Sequence, residues 1–99
     1  MKENLLKIIN HYGVNAQQRQ LAEEVFELQE AITLIDKDGA MVDSEFEDRK
    51  AHIAEEIADV TVIISQFIHY YGLDEVEIYK IADYKIKRQL ERIQNEVKE

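Results

Sequence analysis

Carboxylates three residues apart occur twice beside apolar residues: Glu24 and Glu27 in L-A-E-E-V-F-E-L-Q-E-A-I, and Glu56 and Asp59 in A-E-E-I-A-D-V. On an α-helix, residues at that spacing are neighbours on one face, so each pair can aim two carboxylates at one place. Four like charges brought together would raise one another's pKa values and destabilise the fold. A hard divalent cation reverses that penalty, and Mg²⁺ in particular takes oxygen ligands while keeping positions for water and phosphate oxygens. Mn²⁺ is a possible substitute. Neither pair contains a histidine, so the Glu-x-x-His pattern of di-iron bundles is missing.

Direction separates these acids from their neighbours. With Leu21, Val25, Leu28, Ile32 and Ile35 as one apolar stripe, Glu24 and Glu27 fall on its flank at about 60° and 120°, whereas Glu23 and Glu30 lie near 180°. Taking Ile53, Val60, Ile64 and Phe67 as the next stripe, Glu56 is about 40° from its centre and Asp59 about 100°, with Glu55 further out. An ionised carboxylate bordering a core costs several kcal/mol unless it is paired or metal-bound. In a chain with 21 acidic residues, one E-x-x-E on a helix is expected by chance. Two core-flanking pairs on adjacent helices are harder to dismiss, and antiparallel packing of the two stripes would let all four carboxylates converge.

Further along, Lys85, Gln89 and Arg92 share a flank of the stripe Ile78, Ala82, Ile86, Leu90, Ile93 and Val97, with Arg88 on the far side. Cations there suit phosphate oxygens, although Lys and Arg late in a helix also complement its dipole. Gln17 and Gln20 project from the same side as Glu24, with His11 and Tyr12 just before them, and Gln66 and Tyr70 lie on the acid-pair side of their own segment. An aromatic ring to stack on a nucleobase and an amide to read its edge are a workable pairing. The plainer reading is of solvent-facing glutamines and a core tyrosine. His52, one turn before Glu56, is placed to pair with that acid.

Together these residues resemble the MazG-like family of all-α nucleoside triphosphate pyrophosphohydrolases. The family pattern E-E-x-x-E followed by E-x-x-D is matched by Glu23, Glu24 and Glu27 and then Glu56 and Asp59, and the similarity spans about residues 10 to 93. Where the family often has K-x-x-x-N-x-x-R, this chain has Lys85, Gln89 and Arg92, so the amide is a departure. The resemblance implies Glu24, Glu27, Glu56 and Asp59 as Mg²⁺ ligands. It implies hydrolysis of an NTP or dNTP to the monophosphate and pyrophosphate, between helices of a homodimer or dimer of dimers. Glu27 is the candidate base, and Lys85 and Arg92 would stabilise charge on the leaving pyrophosphate. Two alternatives stay open. One is a phosphoribosyl-ATP pyrophosphohydrolase-like enzyme, whose tyrosine-histidine after the second acidic motif is absent here. The other is a non-catalytic dimerisation module.

The elements that must position these groups are marked out by glycine. The 99 residues contain no proline and only Gly13, Gly39 and Gly72, which favours long helices. Asn15 before Gln18, Ser44 before Glu47 and Asp74 before Glu77 resemble capping boxes. Helices are therefore expected over about residues 2–12, 15–36, 44–71 and 74–96, forming a single all-α, four-helix bundle-like domain with two long central helices. The third is apolar almost all round from Ile57 to Tyr71, so a second chain is expected to cover part of it.

Composition narrows the function classes. A net charge of −9 argues against binding a phosphate backbone, and the lack of cysteine excludes thiolate metal sites and thiol catalysis. The opening M-K-E-N-L-L-K-I-I has too short an apolar run for a signal peptide. No stretch is long and uncharged enough to span a bilayer. A cytoplasmic protein without nucleic-acid or membrane partners is the expectation.

Overall fold

A computed structural model describes residues 1–37 and 43–98, and every described element is an α-helix: α1 (Lys2–Tyr12), α2 (Val14–Lys37), α3 (Asp43–Tyr70) and α4 (Glu75–Lys98). The break expected at Gly39 lies outside the described residues. The all-α class is as expected, and the four helices lie within a residue or two of the expected bounds.

The two described junctions have different local causes. Gly13, at φ 93°, donates its N–H to the Ile9 carbonyl at 2.8 Å, and its own carbonyl accepts from the Gln17 N–H at 3.1 Å. One residue thus ends α1 and starts α2, and Asn15, expected as a cap, lies inside α2. Ser44, another expected cap, likewise lies inside α3. Gly72 adopts the left-handed conformation at φ 64°, with its N–H on the His69 carbonyl and the Leu73 N–H on the Ile68 carbonyl, a Schellman closure of α3. Asp74 then caps α4 as expected, its Oδ1 accepting from the Val76 N–H at 2.9 Å.

Helices α2 and α3 run antiparallel in one constant register. Gln17 meets Gln66, Glu27 meets Glu56, and the Arg49 guanidinium donates to the Leu34 carbonyl. That last bond ties the C-terminal part of α2 to α3. The buried stripe of α3 is Glu56, Val60, Ile63 and Gln66, apolar in the middle and polar at both ends. It faces Gln17 and Ala31 of α2, and the small Ala31 allows close approach. Helix α1 lies across this pair and inserts Leu5 and Ile9, four residues apart on one face. Burying each contributes about 1.5–3 kcal/mol.

The packed unit is made of α1, α2 and α3, and α4 adds little to it within one chain. Its stripe Ile86, Leu90, Ile93 and Val97 is exposed throughout, and only Ile78, beside α3, is half-buried. The result is an open shape with a radius of gyration of 17.6 Å, against about 13 Å for a compact chain of this length. The accessible surface is 8003 Å², against about 5,800 Å² for a compact monomer of 11.6 kDa.

Candidate functional site

The α2–α3 register brings three acids together. One carboxylate oxygen from each of Glu24, Glu27 and Glu56 lies within 4.8 Å of the others. Glu56 is 8% exposed, Glu24 is half-buried, and Glu27 is exposed at the mouth of the group. Asp59, on the same helix as Glu56, is exposed and is not among the converging oxygens. On α3 it lies about 60° from Glu56, a rotation that carries it to the rim of the seam. Glu23, Glu30 and Glu55 are exposed, as their direction on the helices requires.

The electrostatics of the group are unfavourable to three full charges. The charge on Glu24 is the largest cause holding the Glu27 carboxyl above its ordinary value. Loss of water around that carboxyl and the charge on Glu56 add to it, as does the hydrogen bond that its protonated form can give to either neighbour. Among the described residues, the basic group near these acids is His52, with Nε2 3.8 Å from Glu56 Oε1. Gln20 Nε2 donates to Glu24 Oε1 at 2.8 Å and leaves the second oxygen untouched. Glu24 Oε2 and Glu56 Oε2 are both sealed from solvent with no hydrogen-bond partner. Two orphaned, buried oxygens within a group of three converging carboxylates fit a hard divalent cation, which would supply a missing partner and offset the repulsion.

The expected phosphate-binding flank forms on α4 alone. Lys85, Arg88, Gln89 and Arg92 line a shallow depression of about 220 Å³. Arg88, expected on the far side, joins because it is only about 60° round the helix from Lys85 and has a long side chain. Its guanidinium also sits 6.0 Å from the Tyr84 ring centre. Among the described residues, no contact joins this depression to the acids of the α2–α3 seam.

The amides are divided by the fold. Gln20 is tied to Glu24, whereas Gln17 is buried, donating its Nε2–H to Gln66 Oε1 at 2.8 Å. Gln66 is 1% exposed, a burial that its polar type would not lead one to expect. Tyr12, Ala16, Gln17 and Gln20 line a depression of about 400 Å³ beside the acids. Tyr12 is 63% exposed, so it is a wall of that depression and not a core residue. Tyr70 is exposed at the far end of α3, its ring edge-on to Tyr71 at 5.1 Å. His69 lies 3.5 Å from Glu75 across the α3–α4 turn.

Comparison with family models, with curated proteins and with solved structures returned no match to the chain. Among the described residues, no helix is long and apolar enough to cross a membrane.

Proposed function

We propose that the protein is a Mg²⁺-dependent nucleoside triphosphate pyrophosphohydrolase of MazG-like type, and that Mn²⁺ can replace Mg²⁺. The observation carrying this reading is the convergence of Glu24, Glu27 and Glu56 with two buried carboxylate oxygens that lack any partner. Glu24 and Glu56 would hold the cation, with Glu27 and, from the rim, Asp59 completing its shell. When bound, the metal supplies charge neutralisation for triphosphate oxygens and acidifies water.

The chain's own groups account for the remaining steps. Glu27, exposed at the mouth of the acid group, is the base that accepts the proton of the attacking water. The water oxygen bonds to the α-phosphorus as the bridge to the β-phosphate breaks, yielding monophosphate and pyrophosphate. Lys85, Gln89 and Arg92 neutralise and hold the departing pyrophosphate. Gln17 and Gln20 serve the nucleoside end.

The α4 flank is not packed beside the acids of its own chain, so the reading includes a homodimer, or a dimer of dimers, in which α4 of one copy faces the seam of another. The support is surface area. The excess over a compact monomer, about 2,200 Å², is larger than the roughly 800 Å² that each partner contributes to an ordinary interface. Ile57, Val62 and Ile64 of α3 are half-exposed in one chain and belong to the same unpartnered surface.

The test is pyrophosphate release from a full panel of NTPs and dNTPs by the purified chain with Mg²⁺. Release from at least one nucleotide, abolished by a chelator and restored by Mg²⁺, is the expected result; no release from any of them ends the proposal.

A further inference from the structure

The nucleobase end of this site has a defined polarity. The Gln17–Gln66 amide pair and the Glu27–Glu56 pair are rungs of the same antiparallel seam, ten residues apart on each helix. From Gln17 to Glu24 the separation along α2 is seven residues, about 10 Å. That is the span of a sugar and a base between a phosphate held at the acids and a base edge at the amides. Gln20, bonded to Glu24, lies between the two ends.

The hydrogen bond within the pair decides what it can recognise. Gln17 gives an N–H to Gln66 Oε1 at 2.8 Å, and among the described residues no partner engages its carboxamide oxygen. Gln17 is 7% exposed, yet that oxygen is not among the sealed, partnerless atoms, and the residue lines the depression beside Tyr12. Buried Gln66 lies on the α3 stripe packed against α2, and the bond it accepts leaves the Gln17 oxygen as the unbonded end of that amide. In this orientation the oxygen that Gln17 leaves for a ligand is an acceptor.

We propose that Gln17, oriented by Gln66, selects nucleotides whose base carries an amine on the edge remote from the sugar, cytosine and adenine, over their oxo counterparts uracil and hypoxanthine. An amine donates to the Gln17 oxygen, whereas a carbonyl oxygen at the same place meets it lone pair to lone pair. Tyr12 stacks on the base, and Gln66 is a positioning residue that never touches the ligand. This inference rests on reading the acid cluster as the phosphate end of a nucleotide site.

Matched monophosphates differing only in this group, CMP against UMP and AMP against IMP, test it by isothermal titration of the full-length protein with Mg²⁺. The amino member of each pair should bind about tenfold tighter. The preference should fall to near unity in Gln17→Met, and also in Gln66→Met, which keeps the side-chain volume but removes the oxygen that holds Gln17. Circular dichroism establishes that each variant is folded. Equal affinities within both pairs, no binding of either, or a preference retained by folded Gln17→Met would overturn the inference. Selective binding without pyrophosphate release from the corresponding triphosphates would overturn the hydrolase reading alone.

Discussion

Glu24, Glu27 and Glu56 illustrate how one residue type takes different roles through burial. Glu56 and Glu24 each hide an oxygen with no partner, which is costly unless a cation is present, while Glu27 meets the same neighbours from the solvent side. Replacing Glu24 or Glu56 by Gln should lower Mg²⁺ affinity by more than about tenfold, read as loss of the Mg²⁺-induced rise in Tm, while Glu30→Gln leaves it unchanged. Glu27 offers a second test through its own titration. A carboxyl whose folded-state pKa is raised favours folding while protonated, below the ordinary carboxylate range, and this contribution is lost as pH rises through the raised value. In chelator at pH 8, Glu27→Gln should therefore have a higher Tm than the native chain; a lower Tm would contradict the repulsion described here. Of these residues, the sequence distinguished Glu24, Glu27 and Glu56 from Glu23, Glu30 and Glu55 by direction alone. It also grouped Asp59 with them, because a helical wheel of one helix does not show how far a neighbouring helix reaches.

At the scale of elements, glycines and one aspartate divide the chain, and α1 is the clamp on the α2–α3 pair. Ile9 is completely buried at that crossing, so Ile9→Ala should cost about 2–5 kcal/mol, measurable as a lower denaturation midpoint with unchanged slope. A loss below 1 kcal/mol would mean that α1 contributes little to the packed unit. The periodicity that located the helices did not locate their seam. In α2 the apolar stripe passes through Val25 and Ile32, yet these are half-exposed, and Gln17 and Ala31 are the buried positions. The seam runs along the flank of the stripe, where Gln17 hydrogen-bonds to Gln66 of α3.

The whole molecule is open where a compact chain would be closed. Helix α4 carries an apolar stripe that is exposed from Ile86 to Val97 among the described residues, and α3 leaves Ile57, Val62 and Ile64 half-exposed. Sedimentation at micromolar concentration should show a dimer or larger species, and Ile86→Glu with Leu90→Glu should shift it to monomer by placing charges in the apolar interface. A native chain that sediments only as monomer would remove the second copy from the proposed site, and with it the route by which Lys85 and Arg92 reach the acids.

What the residues alone determined was local: the helices, the Gly13 and Gly72 junctions, the Asp74 cap and the sorting of acids by direction. Such features depend on backbone geometry and on interactions within a few residues, which a linear sequence carries in full. The antiparallel register, the burial of Gln17 against Gln66, the separation of Asp59 from the other three acids and the isolation of the Lys85–Arg92 flank were decided by tertiary structure. Each depends on which residue forty or fifty positions away occupies the facing turn, and periodicity along one helix is silent about that.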